Sequence, residues 1–221
     1  MRDDIAVGAY LDDNNGFASV SVRVFSGRFG NVLYTINGGA GDGFGASVSG
    51  IGDINNDGYD DMVIGAIYAD PNGSNSGSAH VVVGNTGAML YTLNGNAAGD
   101  RFGTSVSGAG DTNGDGVPDI IVGADATDPN ASGSASLFSG TNGSLLFTFR
   151  DGRAEDKFGH SVSGGGDING DGLGDVIIGV PRDDIMANNG GSVRIISLGT
   201  DWDNDGVNTL DDAEPLNPAV Q

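Results

Sequence analysis

The sequence predicts an all-β fold of β-propeller blades, each made of four antiparallel strands, and three observations carry that expectation. A seven-residue signature, Phe44-Gly45-Ala46-Ser47-Val48-Ser49-Gly50, returns as Phe102-Gly103-Thr104-Ser105-Val106-Ser107-Gly108 and as Phe158-Gly159-His160-Ser161-Val162-Ser163-Gly164, at spacings of 58 and then 56 residues. Each copy leads into the same series: an acidic loop, a short apolar run ending in Gly, a polar loop and an alternating segment. The apolar runs are β-branched, too short for helices and bounded by turn residues, which is the pattern of buried strands. Four short strands per repeat of this length is the signature of a propeller blade.

The elements follow in order. Asp4-Ile5-Ala6-Val7-Gly8-Ala9 aligns with Asp61-Met62-Val63-Ile64-Gly65-Ala66, so the chain enters at the second strand of a blade. Residues 19–25 and 32–36 then read as its third and fourth strands. In the full repeats the apolar runs are Met62-Val63-Ile64-Gly65, Ile120-Ile121-Val122-Gly123 and Val176-Ile177-Ile178-Gly179. The alternating third strands begin at Ser78, Ser134 and Ser192, and fourth strands follow at residues 89–93 and 145–149. The expected strand count per blade is three, four, four and three, over a partial blade 1–43 and blades 44–101, 102–157 and 158–199. An unpaired strand edge at a chain start is a liability. The expectation is therefore of further blades upstream, within a larger six- or seven-bladed propeller that the chain's own N-terminal strand could close.

Composition narrows the function classes. Of 221 residues 30 are acidic and 9 basic, a formal net charge of −21. Such a field repels nucleic acid and anionic membranes, so neither is expected as a partner. Only Glu155 and Glu214 are glutamates; Asp suits turns and metal loops where Glu suits helices. There is no cysteine, which excludes disulfides and thiolate-bound zinc. No apolar run reaches the length of a transmembrane helix, so direct membrane insertion is not expected.

The acidic loops lie nine residues after each Phe. Calcium takes six to eight oxygen ligands, and a tight loop offers them from alternate positions. Positions 1, 3 and 5 are Asp53, Asn55 and Asp57; Asp111, Asn113 and Asp115; and Asp167, Asn169 and Asp171. Position 6 is Gly each time (Gly58, Gly116, Gly172), where a positive φ is expected. Position 7 would offer a backbone carbonyl, from Tyr59, Val117 or Leu173, and position 9 closes the loop with Asp61, Asp119 or Asp175. Three carboxylates this close call for a cation. Magnesium demands a stricter octahedron and retained water, which favours Ca2+. The bland alternative is that Asp, Asn and Gly simply form Asx-turns; three loops in register weigh against it.

These residues resemble the FG-GAP repeats of the integrin α-subunit propeller. The FG elements are Phe44-Gly45, Phe102-Gly103 and Phe158-Gly159; the GAP-like elements are Gly65-Ala66-Ile67, Gly123-Ala124-Asp125 and Gly179-Val180-Pro181, with Gly8-Ala9-Tyr10 in the partial blade. The resemblance covers nearly all of residues 1–200. It implies a β-propeller with calcium between first and second strands, on the face opposite the ligand-binding face. It also implies an extracellular or cell-surface adhesion protein.

Residues 200–221 form a separate element. Asp201, Asp203, Asp205 and Asp212 with Gly206 match an EF-hand-like spacing, with Val207 as the carbonyl donor; this tail resembles a thrombospondin type 3 calcium repeat. Asp13, Asp70, Asp128 and Asp184 each follow the strand-two Gly by five residues, and read as turn formers before they read as ligands. His80 and His160 are isolated, with no Ser/His/Asp spacing, phosphate loop or glycosidase-type carboxylate pair, and no enzyme activity is expected. The functional expectation is a calcium-binding adhesion or scaffold module for an unknown protein or glycan ligand. The alternative is an accessory or catalytic propeller of a secreted carbohydrate- or lipid-active enzyme.

Overall fold

The computed structural model describes residues 3–9, 20–128, 131–150, 154–183 and 190–199. Among these, fourteen strands form four antiparallel sheets of three, four, four and three strands, each in simple sequence order. The first sheet holds β1 (Ile5–Ala9), β2 (Ser21–Phe25) and β3 (Val32–Asn37). The second holds β4 (Phe44–Gly52), β5 (Asp61–Ala66), β6 (Ser78–Val82) and β7 (Met89–Asn94). The third holds β8 (Phe102–Gly110), β9 (Asp119–Ala124), β10 (Ser134–Phe138) and β11 (Leu145–Phe149), and the fourth β12 (Ser161–Gly166), β13 (Asp175–Val180) and β14 (Ser192–Ile196). The fold is all-β and its sheets are partial propeller blades, as the repeat pattern predicts.

The core lies between sheets. Because side chains alternate along a strand, each central strand sends one set of residues to the preceding sheet and the other to the following one. Met62, Ile64 and Ala66 of β5 pack with Val22, Val24 and Phe44. The alternate Val63 joins Val81, Phe102, Ile120 and Val122. The pattern repeats one blade on, where Ile121 and Leu137 join Phe158, Val176 and Ile178. A strand buried on both faces has to be apolar throughout, which is why β5 and β9 are uniformly buried runs.

Glycine sets the spacing between blades. A Cβ on Gly65 or Gly123 would overlap the carbonyl oxygen of Gly103 or Gly159 on the next sheet. The same carbonyls accept hydrogen bonds from Ser47 Oγ at 2.7 Å and Ser105 Oγ at 2.9 Å. Sheets this close bury a backbone carbonyl, and the serine hydroxyl satisfies it.

One strand is shorter than its repeat predicts. Phe44 and Phe102 pair with Ala66 and Ala124 inside β4 and β8, whereas β12 begins only at Ser161 and Phe158 keeps just the bridge to Gly133 that Phe102 also makes to Gly77. Pro181 stands after Val180 where Ile67 and Asp125 stand in the other sheets, and it has no N–H with which to extend a ladder.

Candidate metal centres

Each acidic loop joins the first and second strands of its sheet, at the end where the third strand finishes. The strand-one bulges at Gly50/Gly52, Gly108/Gly110 and Gly164/Gly166 release the chain into the loop. Gly58, Gly116 and Gly172 have φ of +90°, +85° and +91°, the conformation expected at position 6.

The position-1 carboxylate folds the loop around itself. Asp53 accepts the Asp57 and Gly58 N–H groups at 3.0 and 2.8 Å. Asp111 accepts those of Gly114, Asp115 and Gly116, and Asp167 those of Gly170, Asp171 and Gly172. Position 3 is tied in as well. Asn55, Asn113 and Asn169 accept the position-5 N–H through Oδ1 and donate from Nδ2 to the position-5 carboxylate. In the first loop the Asn55 amide also reaches Asp61, so its NH2 stands between two carboxylates.

Position 9 does something the spacing does not announce. Asp61, Asp119 and Asp175 are fully buried at the head of β5, β9 and β13. One oxygen of each receives a loop N–H, from Ile54, Thr112 or Ile168. The other receives an N–H just beyond the third strand, from Gly84, Gly140 or Leu198, at 3.0–3.1 Å. Asp4 holds Gly27 in the same way in the first sheet. A single carboxylate therefore joins the loop to the far side of its own sheet. Burial pushes the Asp61 and Asp119 carboxyls above the usual range, against the backbone N–H groups that favour the charged form. Asp115, exposed and bonded by the Val117 N–H, is held low.

Two tyrosines carry this connection to the neighbouring blade. Tyr34 donates its hydroxyl to the Gly84 carbonyl, and Tyr91 donates to that of Gly140 at 2.9 Å. Burial, with the charges of Asp119 and Asp61, pushes the Tyr91 phenol up to about 12. The signal was present in the repeated Leu-Tyr-Thr stretches at 33–35 and 90–92; Phe147 interrupts it in the third.

Among the described residues, no three His, Cys, Asp or Glu side chains converge as a formed cation site would have them. The carboxylate hydrogen-bond partners given above are backbone N–H groups and Asn amides, and Thr112 and Thr141 hydroxyls add to them. The tail residues Asp201, Asp203, Asp205, Val207 and Asp212 lie outside the described residues.

A second set of polar groups lies at the opposite end of the sheets. A cavity of about 340 Å³ there is lined by Asp100, Ala124, Ala126, Gly133, Ser134 and Arg150 among others. Along the same edge Lys157 Nζ caps the Asp125 and Ala126 carbonyls, and His160 Nδ1 meets Asp125 at 3.1 Å. Asp70 accepts the Asn75 N–H at 2.7 Å, a turn-forming role; Asp13 and Asp184 lie outside the described residues. His80 packs edge-on against Phe44 and bonds Ser78 and Thr92, with burial lowering its pKa.

Set against known proteins, residues 44–82, 102–138 and 158–196 match the FG-GAP repeat family, together more than half of the chain. The chain belongs to the FG-GAP repeat family. It is 33% identical over 117 residues to integrin alpha pat-2 of Caenorhabditis briggsae, covering 49% of this chain and 9% of that protein. It is 32% identical over 146 residues to mouse integrin alpha-7, covering 62% and 12%, and 33% identical over 145 residues to integrin alpha-PS2 of Drosophila melanogaster, covering 60% and 10%. The solved Dos1 propeller matches with a TM-score of 0.52 and 14% identity over 90% of this chain and 46% of that one; that likeness concerns the fold alone. The chain thus spans about a tenth of its integrin relatives and under half of the solved propeller. In FG-GAP terms, the matched stretches begin at the Phe-Gly pair and take in the acidic loop and the two strands after it.

Proposed function

We propose that this FG-GAP segment is a calcium-braced, non-enzymatic adhesion or scaffold module that works outside the cell. The observation that carries the calcium reading is the threefold loop with its buried closing aspartate. Each loop carries three carboxylates within nine residues of sequence, and the hydrogen bonds that answer them come from neutral dipoles. The position-3 amide NH2 against the position-5 carboxylate stands in for positive charge. The donor set fits a hard divalent ion, since it is all oxygen and carries an excess of negative charge.

Asp53, Asn55, Asp57, Asp61 and the Tyr59 carbonyl would hold the first ion; Asp111, Asn113, Asp115, Asp119 and the Val117 carbonyl the second. Asp167, Asn169, Asp171, Asp175 and the Leu173 carbonyl would hold the third. The ion would supply charge neutralisation, letting the closing aspartate stay ionised while buried. Because that aspartate also bonds Gly84, Gly140 or Leu198, bracing the loop braces the blade. The tail loop at 201–212 is read as a further calcium site by its spacing alone.

The integrin relatives support adhesion and a cell-surface or secreted location, and the cavity beside Arg150 lies on the end opposite the loops, where a protein or glycan ligand would dock. Titrating chelator-stripped protein with Ca2+ should show saturable binding, one ion per propeller loop, with a rise in melting temperature. Unchanged stability would mean that the loops are ordinary turns. A glycan and protein array, with and without EDTA, tests the adhesion reading, and hydrolase or lyase activity in the purified chain would overturn it.

A further inference from the structure

Asn-Gly pairs begin at Asn37, Asn72, Asn94, Asn113, Asn142 and Asn169 among the described residues. Such a pair is prone to lose its side-chain amide, because glycine has no Cβ to keep its nitrogen from the asparagine Cγ. The pairs differ in where the glycine N–H is held. Gly38, Gly95 and Gly143 donate to the carbonyls of Val20, Gly77 and Ser139 at 2.8–2.9 Å, and Gly73 to that of Asp70 at 3.5 Å. Gly114 and Gly170 donate instead to carboxylates, Asp111 Oδ1 and Asp167 Oδ1, each at 2.7 Å. The amide under attack is held as well: Asn113 Oδ1 accepts the Asp115 N–H at 2.9 Å, and Asn169 Oδ1 the Asp171 N–H at 3.0 Å. Asn142 isolates the contact that matters. It is exposed and its Oδ1 also accepts an N–H two residues on, from Ser144 at 2.8 Å, yet its glycine N–H rests on a neutral carbonyl. The first acidic loop has no such pair, since Asn56 follows Asn55.

We propose that Asn113-Gly114 and Asn169-Gly170 are self-deamidation sites, in which the aspartate at the head of the loop takes the proton of the attacking glycine nitrogen. The Gly114 nitrogen bonds to Asn113 Cγ and gives its proton to Asp111. The oxygen that gains charge is the one already receiving the Asp115 N–H, which stabilises it. The Cγ–Nδ2 bond then breaks, ammonia leaves with the proton held by Asp111, and a cyclic imide remains. Water opens the imide at either carbonyl, giving aspartate or isoaspartate. Asp167, Gly170, Asn169 and Asp171 act alike in the third acidic loop. Either product changes position 3: aspartate adds a further carboxylate, and isoaspartate adds a carbon to the backbone and shifts position 5. One consequence rests on the calcium reading above. An ion held by Asp111 and the Asn113 carbonyl oxygen occupies both groups and stops the reaction, so these two loops record time spent without calcium and the first does not.

The full chain is incubated in EDTA at neutral pH and followed by peptide mass spectrometry with enzymatic labelling of isoaspartate. Asn113 and Asn169 should deamidate faster than Asn142 by about tenfold or more, a modest share of what a positioned base supplies. In urea the three rates should converge, because the contrast belongs to the fold. Asp111→Asn should slow Asn113 to about the rate of Asn142 and leave Asn169 unchanged, and Asp167→Asn should do the reverse. A loop that reacts only because it is loose behaves in the opposite way: losing Asp111 frees the Gly114, Asp115 and Gly116 N–H groups and speeds Asn113. Equal rates at the three sites in the folded chain, a contrast that persists in urea, or a faster Asn113 in Asp111→Asn overturns the proposal. Repeating the incubation with Ca2+ separates the two readings. Slowing at Asn113 and Asn169 alone supports both, whereas unchanged rates at all three sites count against calcium and leave the deamidation sites standing.

Discussion

In the third sheet Ile121, Leu137 and Ala135 lie beneath the fourth sheet and are fully buried. In the fourth sheet their counterparts Ile177, Ile195 and Val193 face outward. The two sheets share a repeat, a strand order and an acidic loop, so the difference lies in what stands next to them. Burial of an aliphatic side chain contributes about 1.5–3 kcal/mol, and a blade collects that twice when flanked and once when terminal. Residues that look equivalent in the sequence therefore carry unequal stability.

The largest break in that symmetry is expected from Leu137→Ala, at about 2–5 kcal/mol because a cavity opens between sheets. Ile195→Ala should cost less than about 1 kcal/mol, since an exposed site leaves no cavity. Urea denaturation of both variants checks the pair, and equal losses would mean that the fourth face is covered. Gly123→Ala should cost about 1–3 kcal/mol, because its Cβ meets a backbone carbonyl that cannot swing away. Gly179→Ala asks only that the Ser161 hydroxyl rotate, so it should stay close to wild type in the same assay.

Asp119→Asn sharpens the comparison at the loops. Both carboxylate oxygens accept N–H groups, and an amide can supply only one acceptor. The cost expected is about 1–3 kcal/mol without calcium, read from the melting temperature. Tyr91→Phe removes the hydroxyl from the Gly140 carbonyl and should cost about 1 kcal/mol. Phe147 already lacks that hydroxyl, so the junction of the third and fourth sheets makes no such bond to lose.

The smallest effect is in pH. Asp61 and Asp119 have raised carboxyl pKa values in the metal-free fold. A raised folded value means that the fold binds the proton more tightly than the unfolded chain does. This contribution is fully present below the unfolded value and is lost as pH rises through the folded one. Chelated protein should therefore gain from these two groups on acidification from neutral pH, and calcium should reverse the sign by favouring the ionised form. Melting curves across the carboxylate range, with calcium and with EDTA, would show whether the slopes have opposite signs.

Much of the fold was legible because a strand buried on both faces must be apolar and short, and a turn with positive φ favours glycine. Met62-Val63-Ile64-Gly65 could thus be placed without coordinates, and Gly58, Gly116 and Gly172 have the backbone expected of them. The second role of Asp61, Asp119 and Asp175 was not legible. Its partners Gly84, Gly140 and Leu198 lie more than 20 residues away and bond through backbone N–H groups, which leave no mark on residue type. Pro181 could be read, but the shortened β12 could not, because a missing N–H matters only once a ladder needs it.

By itself the sequence determined the repeat, the strand order, the loop chemistry and the serine–glycine spacing, since each rests on local geometry and residue type. Tertiary structure alone decided which apolar faces are closed and which are open. Identical repeats have identical local preferences, whereas burial depends on the neighbour that stands across the gap.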